Sequence, residues 1–211
     1  MKIPEEKEED HLLPLKMRAN KFKIAGIDEV GKGCLFGPIF AGAVILSKAN
    51  ELELLSKGLK DSKKLNNRQR SHLVPLIKKN SIAWSLGQSS AREIDSLGIR
   101  IATEKAMLRA LEKFSYAPDL ILVDGILPIR IWRGKQQTQI RGESHFPSIA
   151  AASVLAKEAR DELIQRLACK YHQYGLEKNK GYGTEIHRIN LIKTGASKLH
   201  RKSFLSKLVK V

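Results

Sequence analysis

Two adjacent carboxylates, Asp28 and Glu29, stand just ahead of a lysine bracketed by glycines in the run Gly26-Ile-Asp-Glu-Val-Gly-Lys-Gly33. Mg²⁺ and Mn²⁺ are hard ions that take one or two carboxylates together with substrate phosphate oxygens, so this pair suits a metal site. Backbone without Cβ atoms at Gly31 and Gly33 lets another molecule come close, and phosphate is the obvious candidate. Taken alone, the octapeptide suits a solvated acidic turn after an edge strand better than a site. Successive strand side chains point to opposite faces. Asp28 and Glu29 therefore serve one metal centre only if the strand twists or ends between them.

A second carboxylate in the same setting strengthens the metal reading. Asp119-Leu-Ile-Leu-Val-Asp-Gly125 is a short apolar run bounded by acid and glycine, the pattern of a strand buried on both faces, and Asp124 closes it. Sites in α/β sheets form where neighbouring strands end, so Asp28 and Asp124 lie side by side if their strands are adjacent. Like charges brought together raise each other's pKa, and a divalent cation relieves them. Glu143, in Arg-Gly-Glu-Ser, precedes a long helical stretch and is placed to close the cluster.

The elements that must position these groups follow from periodicity. Phe22, Ile24 and Ile27 mark a first strand, and residues 37–46 a second, joined as a hairpin through the Gly-Lys-Gly turn with Pro38 near the strand start. Residues 47–80 read as polar and helical, interrupted at 60–66, with Asn66 or Asn67 as a helix cap. Residues 81–87 alternate as a third strand. Residues 91–115 are amphipathic, with Ile101, Met107, Leu108 and Leu111 facing inward, and Pro118 stops the helix. Residues 136–140 suit a fifth strand. Ser148 is the expected cap of a helix over 149–171 whose inward stripe is Ala151, Leu155, Ala159, Leu163 and Leu167. Short helical segments near 185–193 and at the C-terminus complete the chain, and there is no internal repeat.

Length and charge bound the function class. A chain of 211 residues forms one well-buried core without requiring two. Its 38 Lys/Arg against 22 Asp/Glu, a formal +16, call for a polyanionic partner, nucleic acid before anionic membrane. No segment approaches the roughly 18 apolar residues of a membrane span. The first eleven residues are acidic and lack a secretory pattern, so residues 1–20 are expected to be a disordered leader. From Lys157 onward thirteen Lys/Arg face five Asp/Glu, a net +8, which makes the C-terminal part a basic surface. Cys34 and Cys169 form no C-x-x-C pair, as expected of a protein in a reducing cytoplasm.

The chain resembles bacterial ribonuclease HII, of the type 2 ribonuclease H group, over residues 22–204. The resemblance rests on Gly26–Gly33, Asp61-Ser-Lys63, Val123-Asp-Gly125, Ser148-Ile-Ala-Ala-Ala-Ser-Val-Leu-Ala-Lys157 with Arg160-Asp161, Asn179-Lys-Gly-Tyr-Gly-Thr184 and His200-Arg-Lys-Ser-Phe204, six blocks in the family's order. It implies a ribonuclease H-like α/β fold, a central mixed five-stranded sheet flanked by helices, with a catalytic domain over 21–184 and a basic helical C-terminal extension over 185–211 on or near the substrate face. It implies an endonuclease that hydrolyses RNA in RNA/DNA hybrids and incises duplex DNA at single ribonucleotides.

By position, the family's catalytic metal ligands fall on Asp28, Glu29, Asp124 and Glu143, with Mn²⁺ or Mg²⁺ as cofactor. Two such ions about 4 Å apart support an in-line displacement that leaves 5′-phosphate and 3′-hydroxyl ends. The glycine-flanked loop that reads the ribose 2′-hydroxyl falls on Gly31, Lys32 and Gly33, and the tyrosine at the ribonucleotide on Tyr182. Ser62, Lys63 and Lys157 are further candidates for substrate contact. Lys32 stands where arginine is usual and Glu143 where aspartate is frequent. A lysine is a point charge rather than a bidentate fork, so phosphate contact survives with looser geometry. The expected partners are RNA/DNA hybrid and ribonucleotide-containing duplex DNA, with no membrane, for a cytoplasmic monomer; a replication-clamp partner stays undetermined.

Other residues carry blander readings. Asp161 reads as half of a surface i, i+4 pair with Lys157, not a ligand. His187 and His200 read as surface or phosphate-neighbouring residues without zinc-ligand spacing, and Trp84 and Trp132 as core or rim aromatics. A junction resolvase or integrase-like nuclease shares clustered carboxylates but needs no 2′-hydroxyl sensor. A binding module that has lost its chemistry fits only the charge.

Overall fold

The computed structural model describes residues 22–206, so the expected leader and the last five residues lie outside it. Five strands form one sheet: β1 (Ile24–Val30), β2 (Ile39–Ile45), β3 (Ala83–Ser89), β4 (Leu120–Asp124) and β5 (Gln136–Gln139), in the order β3-β2-β1-β4-β5. The pairs β1–β2 and β2–β3 are antiparallel, while β1–β4 and β4–β5 are parallel. This is the mixed five-stranded sheet the sequence motifs imply. Pro38 precedes β2 directly, where its missing N–H breaks no ladder bond.

Helices cover both faces: α1 (Lys48–Ser56), α2 (Asn67–Asn80), α3 (Ala91–Leu111), α4 (Pro147–Lys170), α5 (Leu176–Asn179), α6 (Glu185–Thr194) and α7 (Lys202–Leu205). Asn66 caps α2 in a reciprocal capping box with Gln69. On one face, Ala25, Ile27, Ala41, Ala43, Ile121 and Val123 meet Ala102, Ala106, Met107 and Ala110 of α3. On the other, Val44 and the alanines at 150–152 of α4 join Leu54, Leu73 and Ile77 of α1 and α2. α4 presses close to the sheet: a Cβ on Gly26 or Gly42 would meet its backbone at 2.3 Å. The two glycines are thus placed where strand and helix backbones touch.

Several expectations shift for identifiable reasons. Gly98, at φ 78°, breaks α3 and resets its phase, so Ile101 faces solvent while Ala102, Thr103, Ala106, Met107, Ala110 and Leu111 form the buried stripe. Ser148 does not cap α4: Phe146 holds the cap position without a side-chain bond, Pro147 occupies the first turn where an N–H is unpaired anyway, and Ser148 is buried inside. The second half of α4 buries Arg160, Ile164 and Ala168, whereas Ala159, Leu163 and Leu167 are only half-buried. His187 and His200 are buried, at 0% and 1% exposure, and their Nε2 atoms lie 3.2 Å apart. Asp161 does pair with Lys157, at 2.9 Å, but it is largely buried and also faces Arg70. Trp84 is a rim aromatic on the edge strand, beneath Lys78.

From Gly175 to Ser206 the chain packs onto the rest of the domain. Leu176, Leu191 and Leu205 build a third core with Leu35, Phe36, Ile164 and Tyr174. The Asp95 carboxylate accepts the amides of Lys202 and Ser203 at 3.0 and 2.9 Å and so ties α7 to the start of α3.

Candidate active site

Sheet register brings the acidic residues together. β1 and β4 run parallel with Ile27 opposite Val123, so the next residue in each strand, Asp28 and Asp124, stands side by side. Ile27 and Val123 both belong to the α3-facing core, and alternation then turns Asp28 and Asp124 to the α4 face. Glu29 points to the other face, because β1 continues unbroken through Val30. There it lines a cleft of about 190 Å³ with Lys32, Thr103, Met107, Asp124 and Leu127. Asp124, the last residue of β4, borders that cleft as well, and Glu29 is the charge that raises Asp28 most, so at the strand tips the two faces meet in one acidic cluster.

Each carboxylate already has a protein donor. The Glu29 amide donates to Asp28 Oδ1 at 2.7 Å and the Gly142 amide to Asp124 Oδ1 at 2.7 Å. Glu143 sits in a 3₁₀ turn (Gly142–Ser144) just before α4 and is 7% exposed. It accepts from Lys63 Nζ at 2.7 Å and from Ser153 Oγ at 3.3 Å. Lys32 forms an ion pair with Glu29. Ser153 is hydrogen-bonded to Ser62 at 2.8 Å as well, so Ser62, expected at the substrate, is buried behind the carboxylates instead. Lys63 reaches inward from an exposed position after Asp61, whose carboxylate caps the short turn Ser62–Lys64.

The cluster is electrostatically loaded. Burial first, then the Glu29 carboxylate, hold Asp28 well above the usual carboxylate range; Asp124 and Glu143 add to the rise, and a hydrogen bond from Ser153 opposes it. The bond to Glu143 pushes the Lys63 ammonium up. Among the described residues no three acidic, histidine or cysteine side chains are drawn together as a ready cage. The donor chemistry nonetheless fits a hard divalent cation: four carboxylates, one of them buried among like charges, that Lys63 and Lys32 only partly neutralise.

The glycine loop leaves β1 directly after Val30. Gly31 takes φ 88°, and a Cβ there would meet the Arg160 side chain at 2.2 Å, so the position demands glycine. Gly33 has an ordinary φ and open space where a Cβ would stand. The next residue, Cys34, forms a β-bridge with Tyr182, which brings the tyrosine beside the loop. Tyr182 is 39% exposed, with Lys157 Nζ and the Arg160 guanidinium each 5.9 Å from its ring centre. Burial pushes its phenol up.

Arg160, Arg201 and Ser153 lie within the sequence motifs but gain a role only from the structure. A signal existed for two of them. Ser153 is the lone hydroxyl in the apolar stretch 149–156, and Arg160 falls on the buried line of Ala156, Ile164 and Ala168.

A family model for Ribonuclease HII matches residues 25–207. The chain belongs to the ribonuclease HII family. It is 80% identical to the Ribonuclease HII of Prochlorococcus marinus strain NATL1A over 188 residues, covering 89% of this chain and 96% of that one. It is 56% identical to that of Parasynechococcus marenigrum strain WH8102, over 88% of this chain and 83% of the relative. Among solved structures, ribonuclease H2 from Pyrococcus horikoshii OT3 superposes with a TM-score of 0.75 at 24% identity, over 89% of this chain and 97% of that one. Ribonuclease HII of Archaeoglobus fulgidus, solved in complex with PCNA, gives 0.72 at 27% identity, over 85% and 94%. This chain is accordingly a metal-dependent ribonuclease H, an endonuclease that cleaves RNA in RNA/DNA hybrids. The family, the fold and the enzyme class expected from the motifs are borne out.

Proposed function

We propose that the enzyme also incises duplex DNA at single embedded ribonucleotides, with Asp28, Glu29, Asp124 and Glu143 as ligands of Mg²⁺ or Mn²⁺ and with Gly31, Lys32, Gly33 and Tyr182 as the reader of the 2′-hydroxyl. One observation carries the reading. The glycine loop grows out of the strand that bears Asp28 and Glu29, and Tyr182 is bridged to it through Cys34, so chemistry and recognition share one continuous segment. The 2′-hydroxyl is the only group that marks a lone ribonucleotide locally, and backbone amides and carbonyls can both donate to it and accept from it.

Metal ions bound by the carboxylates would supply an activated water and charge stabilisation for in-line displacement. The chain's own residues do the rest. Asp28 and Asp124 fix the ligand oxygens on adjacent strand ends, and Ser153, backed by Ser62, orients Glu143. Lys32 and Lys63, each paired with a ligand carboxylate and largely exposed, offer phosphate contacts, as does Lys157 beside Tyr182. Tyr182 presents its ring for stacking on the sugar. The basic segment from residue 185 supplies charge to neutralise duplex phosphates. The reading is of a cytoplasmic enzyme acting where DNA is, as a monomer. No helix among the described residues is long and apolar enough to cross a membrane.

The test is end-mapping on a DNA duplex that carries one ribonucleotide, with Mg²⁺, with Mn²⁺ and with chelator. Incision at that position, dependent on the ion and leaving 5′-phosphate and 3′-hydroxyl ends, is expected. Cleavage of long hybrids only, or cyclic phosphate ends, would refute the reading.

A further inference from the structure

Two arginines among the described residues are completely buried, Arg160 on α4 and Arg201 at the start of α7, and among those residues neither is paired with a carboxylate. A buried cation without an anionic partner is costly, and apolar residues of similar size are usually the more stable choice. Both guanidiniums are spent on backbone carbonyls of the glycine loop, of the segment that follows it and of Lys180. Arg160 donates to Pro38 O at 3.0 Å, Phe36 O at 3.1 Å and Lys180 O at 2.9 Å. Arg201 donates to Gly37 O at 3.0 Å and Lys32 O at 2.9 Å, while its Nη2 has no hydrogen-bond partner.

The contact with Lys32 has a geometric consequence. A trans peptide is planar, and its C=O and N–H point in opposite directions. Drawing the Lys32 carbonyl inward therefore turns the Gly33 N–H outward, on the one glycine of the loop whose missing Cβ would meet nothing within 4 Å. In the same way Arg160 clasps Lys180, two residues before Tyr182, to the turn at Phe36. The flanking frame is stiff, with the Arg201 amide donating to Leu35 O at 2.8 Å and the Gly37 amide to Leu199 O at 2.9 Å.

We propose that Arg201 is a positioning residue that orients the Lys32–Gly33 peptide so that the Gly33 amide faces the substrate ribose, and that Arg160 sets the spacing of that loop from Tyr182. The inference rests on the reading of the loop as the 2′-hydroxyl sensor. It adds which atom does the sensing and what aims it. The cost of two unpaired buried charges is then borne for orientation, since the guanidinium fork fixes two carbonyls at once where an ammonium cannot.

The readout is a ratio: the Kd of an all-DNA duplex over the Kd of the same duplex with one ribonucleotide, measured on full-length protein in an Asp124→Asn background so that the strand stays whole. A merely structural defect lowers the active fraction for both duplexes and leaves the ratio alone. For Arg201→Lys, which keeps the charge and loses the fork, the ratio is expected to fall to within about twofold of one, while the all-DNA Kd, set by phosphate contacts, changes less than about threefold. Arg160→Lys should lower the ratio too. Ratios equal to that of the parent in both variants overturn the proposal. A ratio of one in the parent itself would instead defeat the sensor reading on which it rests. Should the lysine variants not fold, the Gly33 amide resonance of the ¹⁵N-labelled parent decides: it should shift with the ribonucleotide duplex and stay with the all-DNA duplex. An equal response to both overturns the assignment.

Discussion

At the residue scale the two halves of the candidate site are separable by substitution. Asp28→Asn or Asp124→Asn keeps shape and removes ligand charge, and is expected to lower turnover by about a thousandfold or more, the scale of the several kcal/mol that metal assistance supplies. Because Asp28 is a buried carboxyl held among like charges, its amide variant should melt no lower than the parent. Near-normal turnover in either variant, read in a steady-state assay with thermal melts alongside, would remove the ligand assignment. The loop glycines behave differently from each other. Gly31→Ala must fit a side chain at positive φ against Arg160 and should cost about 1–3 kcal/mol of stability in a denaturant titration. Gly33→Ala has room, so its melt should match the parent while ribonucleotide incision falls at least tenfold; unchanged incision would mean that nothing approaches there. The carboxylates and glycines were legible because residue type and strand-end position announce them. The inward turn of Ser62 was not, because a serine next to a lysine carries no burial signal, and only the helix opposite, with its single hydroxyl at Ser153, explains it.

At the element scale the C-terminal helices lock onto the loop through a buried pair of histidines. His200 is held down to about 4, first by burial and then by the nearby His187, and burial lowers His187 as well. Folded-state values below the unfolded value of about 6.5 mean that the unfolded chain takes up protons first. Stability contributed by this pair is therefore present above about pH 6.5 and declines as pH falls from there toward 4. Urea midpoints at pH 7 and 5 should differ in the parent, and the difference should shrink in His200→Gln; an undiminished difference would assign the acid sensitivity elsewhere. The sequence placed both histidines at the surface because isolated histidines in a basic segment look solvated, and their burial depends on Tyr174 and Phe36, whose rings lie 4.5 and 5.0 Å from that of His200. Strand and helix positions were otherwise readable from periodicity. The break at Gly98 was one exception, since a lone glycine within an amphipathic stretch reads as tolerated, and the reset phase exposed Ile101; the Ser148 cap and the inward stripe of the second half of α4 were others.

At the scale of the whole molecule, charge and fold divide the work. In the proposed reading the formal +16 neutralises phosphates without choosing sequence, and the site chooses the sugar. Removing the chain beyond residue 190 is a poor test of this, because it strips Leu191, His200, Arg201 and Leu205 from the interior. Neutralising the exposed Lys178, Lys193 and Lys198 to glutamine leaves the core intact and should flatten the slope of log K against log salt by up to about 0.9 for each phosphate that is no longer neutralised. An unchanged slope would show these lysines to be merely solvated. The net charge was visible in composition, but its anchorage was not, because long-range contacts such as Asp95 to α7 have no local signature. On the proposed reading, a carboxylate site is gated by a sensor for the 2′-hydroxyl. The most direct measurement of that gating compares, with Mg²⁺ or Mn²⁺ present, one duplex carrying a single ribonucleotide and the same duplex with that position as 2′-deoxy. Incision of the first at the ribonucleotide and no detectable incision of the second is the predicted result; cleavage of both at similar rates would contradict it.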